Sequence, residues 1–281
     1  MPRNLKLDHA TICGSDLGSL RHAFADAGLP TDYGGPHANG LTHMAQLGFP
    51  DGSYLELIAP LKPGLTEGAH WSGMMAENAG CCAWAVTVPD IRAETARLNA
   101  IKIEPPGPFP GSRKRPDGKV LQWEIAPVGP GEPGALLPFM IQDHTPRDWR
   151  APMPASLNDL RLSGVAAVVL GVKNLSAAGE MIRRAYGWGA PAVEEHEDFG
   201  RVAYFGGTPV ILAAPLQADS WLAKRLQKFG ERPAAFLLGA TNLGDAAQRF
   251  KLCPFGKWFG REMAWFEVED LSNLKLGVIA G

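Results

Sequence analysis

Leu5-Lys-Leu-Asp-His-Ala-Thr-Ile12 and Ser53-Tyr-Leu-Glu-Leu-Ile-Ala-Pro60 are the two stretches whose reading decides the fold. Each has the length and apolar content of a short strand, and each sets one chemically active side chain, His9 or Glu56, among apolar neighbours. A carboxylate on such a strand costs free energy unless a cation or hydrogen-bond donors compensate it. His9 together with a divalent metal is an economical partner for Glu56. Alternation along a strand puts His9 on the face of Leu5, Leu7 and Thr11, and Glu56 on the face of Tyr54 and Ile58.

The first stretch opens a pattern that recurs four times. A short apolar strand runs into Asp or Asn followed by Leu or Ile, and a helix begins there. The caps are Asp16, Asp90, Asn174 and Asn242. Asp and Asn suit this position because their side-chain oxygens accept backbone N–H groups that a helix start leaves unpaired. Two strand-like runs then follow each helix, at 41–49 and 54–59, 120–126 and 137–142, 201–205 and 210–214, and 263–268 and 274–279. Pro50-Asp-Gly52 and Gly206-Gly-Thr208 read as turns within two of these pairs. The expected fold class is α+β, with four βαβββ-like modules in two domains. The Pro- and Arg-rich segment 143–159 reads as the linker. It separates a first domain at 1–145 from a second at 160–281.

Bulk composition narrows the partners. The chain has 281 residues, 46% hydrophobic and 20% charged, enough apolar content for real cores. A net charge of -2, with no basic block beyond Arg113-Lys-Arg115, points away from nucleic acid. No apolar run approaches the roughly 20 residues of a membrane span. The opening Met-Pro-Arg-Asn-Leu-Lys lacks the apolar region of a signal peptide. Cys13, Cys81, Cys82 and Cys253 show no Cys-x-x-Cys spacing, and the expectation is free thiols in a reducing cytoplasm. The expected partner is a small molecule, and the expected assembly a monomer or homodimer.

With Leu7-Asp-His-Ala10, Gly34-Gly-Pro-His37, Gly40-Leu-Thr-His43, Tyr54-Leu-Glu-Leu57, Arg113-Lys-Arg-Pro-Asp-Gly118, Trp123 and Leu137-Pro-Phe-Met-Ile141, the first half resembles the glyoxalase-like domain group of the vicinal oxygen chelate superfamily. The second half resembles that superfamily by module pattern alone. The resemblance implies sheets curled around a cleft where a divalent ion (Zn, Ni, Mn or Fe) often sits. It implies a first-strand ligand at His9 and a metal-binding carboxylate at Glu56. Activity of a lyase or isomerase on a small, oxygen-rich, anionic substrate follows as the expected function. The alternative is a metal-free pocket that sequesters a small molecule.

Each candidate has a plainer reading beside it. His9 is a metal ligand or a core histidine bonded to backbone. Glu56 is a metal-binding and catalytic carboxylate or a buried acid paired with an arginine. His43, on the face of Leu41, Ala45 and Leu47, is a third ligand, a general base, or part of the cleft wall. His37 sits in a loop at the cleft mouth and contacts substrate or only solvent. Arg113 and Arg115 grip the substrate's anionic end with their guanidinium forks, or mark an exposed turn. Trp123 is cleft wall or core. Aligned on the caps, Ala83 and Ala167 fall opposite His9, and Ile211 falls where Glu56 would be, so the second domain is expected to be degenerate. Extradiol dioxygenases carry their ligands in the second half, which argues against that activity. His196, in Glu194-Glu-His-Glu-Asp198, reads as a solvated acidic turn, and His22 as a surface residue of the first helix.

Overall fold

The structure is a computed structural model that describes residues 3–64, 67–129, 131–153, 161–253, 256–267 and 274–281. Four βαβββ modules follow one another. The first is β1 (Lys6–Cys13), α1 (Leu17–Asp26), β2 (Asp32–Pro36), β3 (Thr42–Gly48) and β4 (Tyr54–Pro60). After the short helix α2 (Ser72–Ala76) comes the second: β5 (Gly80–Thr87), α3 (Ile91–Ala100), β6 (Phe109–Lys114), β7 (Val120–Pro127) and β8 (Phe139–Asp143). A one-turn helix, α4 (Arg147–Arg150), leads to the third: β9 (Leu162–Gly171), α5 (Leu175–Tyr186), β10 (Ala192–His196), β11 (Gly200–Tyr204) and β12 (Val210–Ala214). Helix α6 (Trp221–Phe229) precedes the fourth: β13 (Arg232–Ala240), α7 (Leu243–Arg249), β14 (Gly256–Trp258), β15 (Arg261–Trp265) and β16 (Leu276–Ala280). All four expected caps form: Asp16, Asp90, Asn174 and Asn242 accept the backbone N–H of Ser19, Ala93, Ala177 and Asp245.

Two eight-stranded sheets result, ordered β2-β3-β4-β1-β5-β8-β7-β6 and β10-β11-β12-β9-β13-β16-β15-β14. In both, antiparallel pairing of the two modules' first strands joins the halves, and each first strand runs parallel to its module's last. The expected two or three post-helix strands are three in every module, one more than the two apolar runs located in each. The missed ones, β2, β6, β10 and β14, are the four sheet edges. Edge strands carry polar, Gly and Pro residues that discourage pairing with other chains, so they lack the apolar alternation that marks a strand.

One continuous core lies under the helices of both halves. Phe24 of α1, Trp84 of β5, Val168 of β9 and Phe236 of β13 all belong to it. A bulge between Leu7 and His9 turns Leu7 into this core, whereas the alternation rule put the two on one face. The segment expected to be a plain linker is not one, since α4 docks its arginines against the first sheet. Residues 154–160 of that linker, and residue 268 of the expected strand 263–268, lie outside the described residues. Among the described residues no helix is long and apolar enough to cross a membrane. All four cysteines are free, three of them buried.

Candidate functional site

The open face of the first sheet forms a cleft of about 390 Å³. His9 of β1, Thr42 and Met44 of β3, and Tyr54, Glu56 and Ile58 of β4 build one wall. Arg113 of β6, Trp123 and Ile125 of β7, and Phe139 and Ile141 of β8 build the other. The register sets Thr11 opposite Glu56 and His9 opposite Tyr54 on parallel strands, so two side chains far apart in sequence meet.

Glu56 is the centre. His9 Nε2 lies 3.4 Å from its Oε2, and His37 Nε2 lies 3.3 Å from its Oε1. Thr11 donates its hydroxyl to Oε2 at 3.3 Å. Burial alone would raise the Glu56 pKa. The His37 hydrogen bond and the charges of His9, His37 and Arg113 outweigh burial and hold it at about 2. Glu56 is therefore a fixed anion near neutral pH and only accepts hydrogen bonds. His37 Nε2–H then points at it, and the ring's Nδ1 lies 2.8 Å from the Thr42 hydroxyl oxygen.

His9 is arranged differently. Its Nδ1 lies 2.6 Å from Asp8 Oδ1. Asp8 is fully buried; burial opposes its ionisation, but the charge and hydrogen bonds of Arg150 and the His9 contact hold its carboxyl well below the usual range. Nδ1 is therefore the donor, which leaves the second nitrogen of a neutral His9 facing the Glu56 carboxylate acceptor to acceptor. One proton, or one cation, completes that contact. The ring is also stacked on Tyr54, with centroids 4.7 Å apart, and edge-on to Phe139 at 5.3 Å.

Beneath this pair is a network that sequence reasoning missed. Arg150 binds Asp8 through both terminal nitrogens, at 2.9 and 2.7 Å, and also Asp143 and the Tyr54 hydroxyl. Arg147 reaches Asp8 Oδ2 at 2.5 Å and the Gly52 carbonyl. Asp8 adjoins His9 in the sequence, but its arginine partners lie about 140 residues away in the expected linker, and only the docking of α4 unites them.

The other expected site residues separate into two groups. His37, Arg113 and Trp123 line the cleft. Arg113 lies not in a turn but on an edge strand, is 5% exposed, and touches Met44 Sδ. Among the described residues no carboxylate sits within ion-pair distance of it. His43 and Arg115 are corrections. On β3, Thr42 and Met44 face the cleft, so His43 faces the helix side, edge-on to Tyr33 at 5.9 Å and close enough to the Asp16 cap to feel its charge. Arg115 turns away to the Trp149 carbonyl at 2.5 Å and to Asp117. The polar residues ending module two also leave the cleft: Gln142 caps Ile91 N–H, Asp143 binds Arg150, and His144 binds Glu124. Register pairs Ala85 with Phe139 as it pairs Thr11 with Glu56, so the symmetric counterpart of Glu56 is a phenylalanine.

Gly34 of the Gly34-Gly-Pro-His37 stretch has a steric reason. A Cβ there would fall 2.6 Å from Arg113 Nη1 and into Met44 Sδ. Gly34→Ala is expected to cost about 1–3 kcal/mol by overpacking and to push Arg113 off its place. Thermal unfolding checks the first effect, and an unchanged midpoint would refute the steric account.

Donor types in the cleft suit zinc or a similar ion, and the 3.3 and 3.4 Å separations match two ligands on bonds of about 2.0–2.2 Å. The two imidazoles, however, address opposite oxygens of Glu56. Among the described residues no group of three or more His, Cys, Asp and Glu is placed to hold a metal. As arranged, these residues fit a shared proton and not a three-ligand ion.

The second sheet repeats the register with Val169 opposite Ile211, in the places of Thr11 and Glu56. Ala167 and Ile211 pack in a cluster with Phe199 and Trp258, whose rings are 5.0 Å apart. His196 ends a strand and leans edge-on against Trp258, so it is not a loop residue.

Two curled sheets of paired βαβββ modules, one with a histidine–carboxylate cleft, are the architecture of the vicinal oxygen chelate superfamily. A family model described as "Glyoxalase-like domain" matches residues 7–180, and the chain belongs to that family. No curated protein sequence matches it. A hypothetical protein from Staphylococcus aureus superposes with a TM-score of 0.63 at 13% identity, covering 99% of this chain and 100% of its own. A mutant 4-hydroxymandelate synthase from Streptomyces coelicolor gives 0.61 at 12% identity, covering 100% of this chain and 93% of its own. At these identities the likeness concerns the fold alone.

Proposed function

We propose that the first cleft moves a proton on a small, oxygen-bearing, anionic substrate, a lyase or isomerase reaction of the glyoxalase-like kind. The observation that carries this reading is the His9 Nε2–Glu56 contact, short by one proton when His9 is neutral. The substrate's anionic group binds the Arg113 guanidinium, which is buried without an acidic partner among the described residues. A C–H next to a carbonyl then faces His9. Its Nε2 takes the proton, and the imidazolium forms between two carboxylates, Asp8 and Glu56, that stabilise its charge. The same nitrogen returns the proton to the substrate, at the same carbon or a neighbouring one. Glu56 stays ionised throughout and acts by holding both imidazoles, while the apolar walls of Trp123 and Phe139 exclude water.

A second reading, that a divalent ion is required, is favoured by the Asp8–His9 bond, because a carboxylate on the far nitrogen commonly orients a ligating histidine. Exchange of substrate C–H protons with deuterium oxide tests proton transfer, and metal analysis of the purified protein tests the ion. Wild-type protein is expected to catalyse exchange in at least one member of a panel of small 2-oxo and 2-hydroxy carboxylates. His9→Ala and Arg113→Gln abolish it, and His43→Ala leaves it unchanged. Binding seen by thermal shift without exchange in any member would replace catalysis by sequestration. Stoichiometric Zn, Ni, Mn or Fe in the purified protein, lost in Glu56→Ala, would establish the ion.

A further inference from the structure

A second cavity, of about 440 Å³, lies at the seam between the halves. Lys224, Arg225, Lys228 and Lys275 line it with the rings of Trp221 and Phe229, and among the described residues Glu77 is its single carboxylate. We propose that this cavity is a binding site for a small phosphate-bearing anion, separate from the first cleft.

Arg225 is the anchor. It is 8% exposed, and its terminal nitrogens donate only to backbone carbonyls: Ala79 at 2.7 Å and Cys81 of the first half, and Pro233 at 3.1 Å of the second. Among the described residues its Nε has no partner, and neither does the buried Nε1 of Trp221. Among the described residues no carboxylate lies within ion-pair distance of Arg225. Carbonyl dipoles solvate a guanidinium but do not neutralise it, so a buried cation is left short of a counter-charge. Around it, Lys275 Nζ rests 5.6 Å from the centre of the Trp221 ring, and Lys224 is exposed. Among the described residues Lys228 is the one member with an acidic partner, Glu77 at 2.7 Å, and both of those side chains are about half exposed.

Three further ammonium groups around one buried guanidinium favour a compact, multiply charged anion over a monocarboxylate. A phosphate group carries up to two charges and three acceptor oxygens, enough to serve several of these donors at once. Apolar faces of Trp221 and Phe229 leave room beside them for the organic part of a phosphate ester.

Titration calorimetry with inorganic pyrophosphate on the full chain tests the assignment. Saturable binding that weakens as NaCl is raised is expected. The Lys224→Gln/Lys275→Gln double variant should bind about tenfold more weakly or worse, as expected for the loss of charge-assisted contacts. Arg113→Gln, which alters only the first cleft, should bind as wild type. Absence of saturable binding, equal affinity in the double variant, or a loss confined to Arg113→Gln would each overturn the proposal. Should the double variant fail to fold, Lys224→Glu at its exposed position decides the matter by the same criterion. None of these readouts depends on turnover in the first cleft, so failure here and failure of the proton-transfer reading are distinguishable.

Discussion

Replacing Arg150 by methionine is expected to lower the unfolding free energy by about 3–5 kcal/mol at pH 7, the usual cost of removing one partner from a buried ion pair. Asp8 has no exposure and relies on Arg150 for two of its hydrogen bonds. Without Arg150 it keeps Arg147 and His9 but loses most of the positive charge that keeps it ionised. Native stability is commonly about 5–15 kcal/mol, so a loss of this size is a large part of the whole. The urea midpoint reads the loss, and a loss below about 1 kcal/mol would contradict it. Acid sensitivity follows from the same pair. The Asp8 pKa is depressed in the folded protein, so its contribution is complete above the unfolded value near 3.8 and disappears as pH falls through the lower folded value. Wild-type protein should lose stability on that acid limb, and Arg150→Met should show a shallower one. Pairing Arg150→Met with Asp8→Leu should recover part of the loss, since neither charge is then left buried alone.

Glu56→Gln is expected to reduce turnover in the first cleft by about 10²–10³-fold, the range associated with losing one preorganised electrostatic stabiliser of the charge that forms on His9. The amide oxygen can still accept from His37, but the amide NH2 would donate to neutral His9 Nε2 and occupy the lone pair that takes the substrate proton. The substitution also removes the charge that stabilises an imidazolium. Binding of the anionic substrate, which rests on Arg113, should change far less, so the effect falls on kcat and not KM. A proportional rise in KM with kcat intact would show that Glu56 belongs to binding alone. A pH signature accompanies this. Between its ordinary 4.5 and about 2 in the fold, the Glu56 pKa represents about 3 kcal/mol of stabilisation, present above pH 4.5 and lost as pH falls toward 2. Glu56→Gln should remove that part of the acid dependence, leaving the part due to Asp8.

Much of the architecture was legible because it repeats. Four caps of one chemical type, each between a strand and a helix, marked four modules, and all four hold their helices. What escaped was each sheet's outer strand. Arg113 illustrates the consequence: open in the sequence between a substrate grip and an exposed turn, it lies on an edge strand whose alternation carries it into the cleft. His43 failed for the opposite reason. Alternation placed it correctly with Ala45 and Leu47, but that face turned out to be the helix side. A period of two sorts side chains onto two faces without saying which face is the cleft.

Local chemistry in the chain determined the helix starts, the central strands, and the buried acid that had to be answered by positive charge or hydrogen-bond donors. Those features depend on neighbours within a few residues. Tertiary structure alone decided what answers it: His9 and His37 for Glu56, and Arg150 for Asp8, drawn together by parallel strand register and by the docking of α4. Contacts between residues tens to more than a hundred positions apart are set by how sheets curl and pack, and no local pattern encodes that geometry.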